Sequence, residues 1–157
     1  MGIFNAIENS ASGLMTQRLR LDLISNNIAN VNTTRSGVDE AGNFIPYRRQ
    51  VAVMQPRSEN SFFDVFNKTL NQTGKGVQVA AVVEDTAPFT LEYNPDSPDA
   101  AKVAQPGVPV GYVRLPNVNI VNEMVDLISA SRAYEANVTV INASKSMAMK
   151  ALEIGRG

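Results

Sequence analysis

Residues 120–154 read IVNEMVDLISASRAYEANVTVINASKSMAMKALEI and contain neither proline nor glycine. Their side chains form two heptad lines that alternate by three and four residues, the spacing of a coiled-coil face. One line is Ile120, Leu127, Tyr134, Ile141 and Ala148, and the other is Met124, Ser131, Val138, Lys145 and Leu152. Asn119 suits an N-cap and Gly155 suits a stop. The pattern therefore predicts one helix from about Ile120 to Ile154, roughly 50 Å long.

The first segment of the chain has the same helical period. Apolar side chains recur there at every seventh position, at Ile7, Leu14, Leu21 and Ile28. Gly13 interrupts the helix and costs about 1 kcal/mol relative to alanine. The asparagines between Asn26 and Asn32 are poor helix formers, so we expect this helix to end between Ile28 and Thr33.

All eight prolines lie in the middle of the chain, and proline breaks helix interiors. We therefore expect an N-terminal helix in 1–33, a β-rich region with loops in 34–117 and a C-terminal helix in 118–157. Alternating apolar residues predict strands in the middle region, and a helical turn is expected at Phe62–Phe66. The expected strands are Tyr47–Met54, Val77–Glu84, Phe89–Tyr93 and Gly111–Leu115.

Each terminal helix has one apolar stripe and nothing in its own segment to cover it. The simplest partner for each stripe is the other one, because isolated helices are marginal in water. The sequence therefore predicts an α+β fold, in which long N- and C-terminal helices pair as an antiparallel coiled coil around a small inserted β-rich region. Small residues on the outer face of the second helix would let further helices approach closely. Two interpretations stay open, a free two-helix domain and a subunit whose helices pack into a larger assembly.

Composition excludes several classes of function. The chain has no cysteine and no histidine, which removes thiol nucleophiles, the usual general base and the commonest zinc ligand. A net charge of −1 lacks the basic footprint of a nucleic-acid-binding protein. No apolar run reaches the length of a membrane span, and the first residues lack the features of a cleaved signal peptide. We expect no enzyme activity, catalytic residue, cofactor, metal, nucleic acid, small-molecule substrate or membrane insertion.

The charged residues of the middle region have structural explanations. The adjacent pair Glu84-Asp85 would point to opposite faces of a strand, so it suits a strand end better than acid–base catalysis. Asp99 lies in a proline-rich stretch and suits a turn. The pair Arg48-Arg49 favours a strand with one exposed arginine over a nucleic-acid patch.

Two motifs at opposite ends carry a resemblance. The stretch SNNIAN at residues 25–30, followed by Asn32 and Thr33, resembles the N-terminal signature of the bacterial flagellar axial proteins, the rod and hook family. The stretch EMVDLISASRAYEAN at residues 123–137 resembles the C-terminal helix of the same family. PYRRQ at residues 46–50, GYVRLPNVN at residues 111–119 and the short length resemble its proximal rod subunits. The motif residues are Ser25, Asn26, Asn27, Ala29, Asn30, Asn32, Thr33, Arg132 and Asn137.

The resemblance implies a structural subunit of the proximal rod of the flagellar basal body, part of the drive shaft that carries motor torque to hook and filament. Its implied partners are copies of itself, other rod subunits and the flagellar type III export apparatus. It would lie outside the cytoplasmic membrane, exported without a cleaved signal peptide. The asparagine-rich motif would lie at the turn out of the first helix, with its amides bonded to backbone groups of the departing chain or of the adjacent subunit.

The residues expected in the buried subunit and helix-packing interface are nine members of the heptad lines. They are Ile7, Leu14, Leu21, Ile28, Met124, Leu127, Tyr134, Val138 and Ile141. Within the family the alternative is another proximal rod subunit. Outside it, the alternative is a free helical adaptor or export chaperone, which would need no β insertion.

Overall fold

The computed structural model describes residues 3–39, 42–57, 76–103 and 107–155. Within them, six short strands lie between two long helices in chain order, which makes the fold α+β as predicted. The predicted helical turn at Phe62–Phe66 lies outside the described residues. In chain order the elements are α1 (Ile3–Ala29), β1 (Gly37–Val38), β2 (Phe44–Ile45), β3 (Gln50–Pro56), β4 (Val77–Glu84), β5 (Thr90–Tyr93), β6 (Tyr112–Leu115) and α2 (Ile120–Ile154).

Both helices begin or end where local sequence favours it. The Asn119 Oδ1 accepts hydrogen bonds from the backbone N–H groups of Val121 and Asn122, at 3.0 and 3.2 Å, so Asn119 caps α2 as predicted. Helix α1 ends at Ala29, inside the predicted interval. Neither described helix is long and apolar enough to cross a membrane.

The strands agree with the alternation pattern except at their ends. Strand β4 has the predicted bounds, whereas β3 begins at Gln50 rather than at Tyr47. The backbone N–H of Tyr47 bonds to the Thr33 carbonyl, and that of Arg49 bonds to the Asn117 side chain, so neither group is available to a strand ladder. Strand β5 begins one residue later than predicted and β6 likewise. The short antiparallel pair of β1 and β2 was not predicted, because two-residue strands show no periodicity.

The chain forms two compact units. The first contains the described parts of residues 1–21, 52–82 and 128–157, and the second contains the described parts of residues 22–51 and 83–127. Strand β3 pairs with β4. The N–H of Arg57 bonds to the Gly76 carbonyl and the N–H of Asp85 bonds to the Arg49 carbonyl, an order that makes this pair antiparallel.

In the first unit the helices meet through small side chains. A Cβ atom added to Gly13 of α1 would lie 3.1 Å from both terminal atoms of the Asn137 amide on α2. Glycine therefore permits a close approach that offsets its poor helix propensity. The buried helix residues of this unit are Ser10, Thr16, Ala130 and Ser144.

A separate contact fixes the start of β4 to α1 in the same unit. The Ser12 hydroxyl donates to the Asn9 carbonyl at 2.7 Å and accepts from the Val77 N–H at 3.1 Å. Gly76 has a φ of +90°, and a Cβ atom there would overlap the Ser12 hydroxyl. The backbone of β4 therefore reaches the helix only because residue 76 has no side chain.

The second unit has an apolar core beside the β5–β6 pair. These strands are antiparallel, with Thr90 opposite Leu115 and Tyr93 opposite Tyr112. The rings of the two tyrosines pack with their centroids 5.2 Å apart. The buried apolar residues of this unit are Ile24, Tyr47, Ala101, Val108 and Val113.

Candidate functional site

Asn27 lies in the second unit and is only 1% exposed. Its Nδ2 donates to the Gln50 carbonyl at 3.0 Å and to Glu123 Oε2 at 3.1 Å. Its Oδ1 accepts from the Gln50 N–H and from the Tyr47 hydroxyl, both at 2.9 Å. These four bonds use both donors and both acceptor positions of the amide. Asn27 therefore joins the end of α1 to the start of β3 and to the first turn of α2.

Glu123 is a fully buried carboxylate in the first turn of α2. Its Oε1 accepts from Arg49 Nε at 2.5 Å, so the charge is paired inside the protein. The Arg49 guanidinium also lies 3.5 Å from Asp85 and 3.4 Å from Asp126. Breaking a buried pair by removing one partner is strongly destabilising, because the remaining charge is left uncompensated. We call the residues Asn27, Tyr47, Arg49 and Glu123 the junction network.

Burial and neighbouring charges raise the pKa of two members of the junction network, Arg49 and Tyr47. Burial by itself would lower the pKa of Arg49, but the hydrogen bond and negative charge of Glu123, followed by those of Asp85, raise this pKa above its usual value. Burial raises the pKa of the Tyr47 phenol, and the charges of Glu123 and Glu84 raise it further. Arg49 therefore stays charged and Tyr47 stays a hydrogen-bond donor at neutral pH. The network therefore joins the end of α1, the segment before β3 and the first turn of α2 through hydrogen bonds and an ion pair.

The remaining residues of the asparagine-rich motif bond mainly to the turn itself. The Asn30 amide donates to the Asn26 carbonyl at 2.9 Å, and its oxygen accepts from the Thr33 hydroxyl at 3.1 Å. Asn26 donates to the Tyr47 hydroxyl at 3.2 Å. The family resemblance implies that these amides bond to backbone groups of the departing chain or of an adjacent subunit. The bonds of Asn26 and Asn30 described here are to groups of their own chain. The exposed members of the motif are Ser25, Asn26, Ala29 and Asn32.

A second ion pair fixes the segment that follows this turn. Asp99 accepts from the Arg35 guanidinium and from the Thr34 hydroxyl, both at 2.7 Å. The Arg35 hydrogen bond, followed by that of Thr34, lowers the pKa of the Asp99 carboxyl. The Arg35 guanidinium also lies 4.7 Å from the centre of the Phe44 ring. Asp99 lies in a turn, as predicted, and also holds residues 34–35 in place.

The C-terminal motif residues have different environments. Arg132 is exposed on α2. The Asn137 side chain is half-buried and donates to the Ala133 carbonyl at 2.9 Å, while its amide faces Gly13 of α1. Asn137 thus takes part in the contact between the helices of the first unit.

The nine residues expected at the interface are only partly covered in a single chain. Met124 is 54% exposed and Tyr134 is 37% exposed. The half-buried members are Ile7, Leu14, Leu21, Ile28, Leu127, Val138 and Ile141. The structure therefore places all nine on surfaces that retain accessible area.

The sequence did not predict the ion pairs that join Arg49 to Asp85 and Glu123. The pair Arg48-Arg49 was expected to include one exposed arginine, and that expectation is wrong. Arg48 stacks on Phe89 at 4.5 Å and donates to the Asp85 carbonyl, while Arg49 pairs with carboxylates. An acidic residue in the first turn of a helix is usually explained by the helix dipole, so the sequence offers no signal that Glu123 is buried.

Comparisons with known proteins match both ends and the full length of the chain. The family described as "Flagella basal body rod protein" matches residues 7–35, and the family described as "Flagellar basal body rod FlgEFG protein C-terminal" matches residues 110–154. The flagellar basal-body rod protein FlgC of Borreliella burgdorferi is 49% identical over 100% of both chains. The proteins of the same name from Bacillus subtilis and Salmonella typhimurium are 44% and 36% identical, over 99% of this chain and 100% of theirs. The chain therefore belongs to the flagellar basal-body rod protein FlgC family.

Proposed function

We propose that this chain is a structural subunit of the proximal rod of the bacterial flagellar basal body. Copies of it would pack with other rod subunits into the drive shaft that carries motor torque to hook and filament. The observation that carries the proposal is the full-length similarity to proteins named flagellar basal-body rod protein FlgC. The β-rich middle region disfavours the free helical adaptor, which would need no such insertion.

The exposed apolar side chains support a role in assembly. Large apolar residues are more than half exposed at both ends of α2, within residues 121–128 and 147–154, while its buried residues are Glu123, Ala130 and Ser144. Exposed apolar surface of this extent marks protein–protein interfaces. The most exposed large apolar residues of the two helices are Phe4, Met15, Val121, Val125, Leu152 and Ile154.

Antiparallel coiled-coil pairing of the two helices is part of the proposal. Asn27 contacts Glu123 in one unit and Gly13 faces Asn137 in the other, so partner numbers rise along α2 as they fall along α1. The interval from Gly13 to Asn27 on α1 and the interval from Glu123 to Asn137 on α2 are each two heptads long, as a seven-residue repeat requires. Residues 1–33 and 118–157 would then form the axial part of the subunit, and residues 34–117 its β-rich part.

The nine heptad residues would be buried by helices of neighbouring subunits as well as by their own chain. Their partial exposure supports this proposal, because each retains surface that a neighbour can cover. Burying a leucine or isoleucine side chain completely contributes about 1.5–3 kcal/mol. A rod built from many such contacts resists shear, since close-packed interiors do not deform continuously.

The remaining proposals follow from membership of the family. The chain would act without catalysis, cofactor or metal, and its partners would be its own copies and other rod subunits. It would leave the cell through the flagellar type III export apparatus without a cleaved signal peptide. Its place would be the rod, outside the cytoplasmic membrane.

Deletion of the gene in its own bacterium tests the proposed function. We expect loss of swimming and absence of hooks and filaments by electron microscopy, because structures beyond the rod need a complete rod. The intact gene should restore both, and so should a variant with Lys102→Ala, which changes an exposed side chain. Normal hooks and swimming after deletion of the gene and of any duplicate copy would overturn the proposal.

A further inference from the structure

Arg49 and the residue that follows it connect four elements within the second unit. The Arg49 guanidinium pairs with Glu123 of α2 and lies 3.5 Å from the carboxylate of Asp85, the residue that follows β4. The Arg49 carbonyl also accepts from the Asp85 N–H at 2.8 Å. Gln50 bonds through both of its backbone groups to Asn27 of α1. These two consecutive residues therefore join the start of β3 to the ends of α1 and β4 and to the first turn of α2.

These four elements are also the ones through which the chain continues into the first unit. The division between the two units falls within α1 at residues 21–22, within β3 at 51–52, within β4 at 82–83 and within α2 at 127–128. Each crossing of the chain from one unit to the other therefore lies inside a helix or a strand, and none lies in a loop. The contacts of Arg49 and Gln50 tie all four crossing elements to one another on the side of the second unit.

Contacts that act in parallel share an applied force. A pull or twist that enters the second unit through one of the four elements is passed to the other three by these contacts. The pair of Arg49 with Glu123 is charge-assisted and buried, and such hydrogen bonds are stronger than neutral ones in contact with water. The planar guanidinium fork also reaches Asp85 and Asp126, which the single ammonium group of a lysine could not do at the same time.

We propose that the junction network, through Arg49, is a mechanical coupling that distributes force among α1, β3, β4 and α2 when the subunit is part of a rod under load. The inference rests on the proposed function, because it concerns the chain after assembly. It separates two roles within the subunit. Apolar contacts join one subunit to the next, whereas Arg49 sets the force at which an assembled subunit gives way.

Controlled shear of isolated hook–basal bodies tests this inference. Arg49→Lys keeps a cation beside the buried Glu123, so rods should assemble in normal number, but it removes the fork that reaches Asp85 and Asp126. After brief sonication, we expect electron microscopy to show breaks in the proximal rod at least about threefold more often than with the intact chain, because forced unfolding follows the rate at which contacts open. Breaks in the hooks of the same particles are an internal control and should be equally frequent.

Arg35→Lys is the matched control variant. It makes the same substitution at a second ion pair of the second unit, in which Arg35 binds Asp99. Neither residue belongs to an element that continues into the first unit, since both lie between the helices and strands. We expect rods that contain Arg35→Lys to break as often as rods of the intact chain.

Two outcomes would overturn the proposal. The first is equal breakage of the proximal rod with Arg49→Lys and with Arg35→Lys. The second applies if Arg49→Lys yields no rods. Asp126→Asn then decides, since it removes the charge of one outer partner and leaves the buried pair with Glu123 intact. We expect Asp126→Asn to assemble and to break more often than Arg35→Lys, and unchanged breakage would overturn the proposal. Neither result touches the proposed function, which the gene deletion tests by the presence or absence of hooks.

Discussion

Asn27 lies between the exposed Asn26 and the half-buried Ile28, yet its own amide is buried and makes four hydrogen bonds. Two of them join the Asn27 amide to the N–H and the carbonyl of Gln50. The amide bonds to both backbone groups of Gln50, as a residue on a neighbouring strand would. Aspartate lacks the two donors, and glutamine is one methylene longer. The hydrogen bonds to the Gln50 backbone therefore explain why residue 27 is an asparagine.

Replacing Asn27 by alanine should destabilise the chain by about 3 kcal/mol, because buried groups of Gln50 and Glu123 lose their partners. Urea unfolding followed by circular dichroism measures the change. Asn32→Ala is the matched control, since Asn32 belongs to the same motif and is exposed, and it should shift stability by less than about 0.5 kcal/mol. Equal effects of the two substitutions would contradict the assigned role of Asn27.

At the scale of elements, the period of the apolar residues predicts most of the helices and strands. Helix α2 and strand β4 have the predicted bounds, and α1 ends in the predicted interval. Long elements repeat their pattern often enough to be recognised. The first residues of the predicted strand at Tyr47 were assigned wrongly, because their backbone groups bond to residues distant in sequence.

The contact between β4 and α1 depends on the absence of a side chain at Gly76. Gly76→Ala should destabilise the chain by about 2 kcal/mol or more, since it adds both strain at positive φ and overlap with Ser12. Thermal unfolding measures the loss. Gly42→Ala separates the two causes, because Gly42 also has a positive φ but open space around it, and it should cost less. The assignment fails if Gly42→Ala is the more destabilising substitution.

At the scale of the whole molecule, the helices are incomplete in a single chain. Apart from Ile24, the residues that are buried on them are small or polar, while large apolar side chains such as Met15 and Leu152 face outward. Exposed large apolar side chains in this number are typical of protein–protein interfaces. In the single chain, the helices therefore expose apolar surface that assembly with other subunits would cover.

Leu21→Asp should prevent incorporation of the chain into basal bodies, because a carboxylate at a buried interface is left without a partner. We expect the purified variant to retain the folded second unit, which exchange protection of β5 and β6 reports. Asn5→Asp adds the same charge at an exposed position of α1 and should assemble normally. Isolated basal bodies that contain Leu21→Asp at the level of the intact chain would contradict the interface assignment.

The sequence by itself determined the long helices, most strands, the N-cap at Asn119 and the family, because periodicity, capping and motifs are local properties. Only the tertiary structure decided that Glu123 is buried against Arg49 and Asn27, residues 74 and 96 positions away along the chain. It also decided that Gly13 and Gly76 are places of close approach. Burial and hydrogen-bond partners depend on contacts between distant segments, and no local pattern specifies which segments meet.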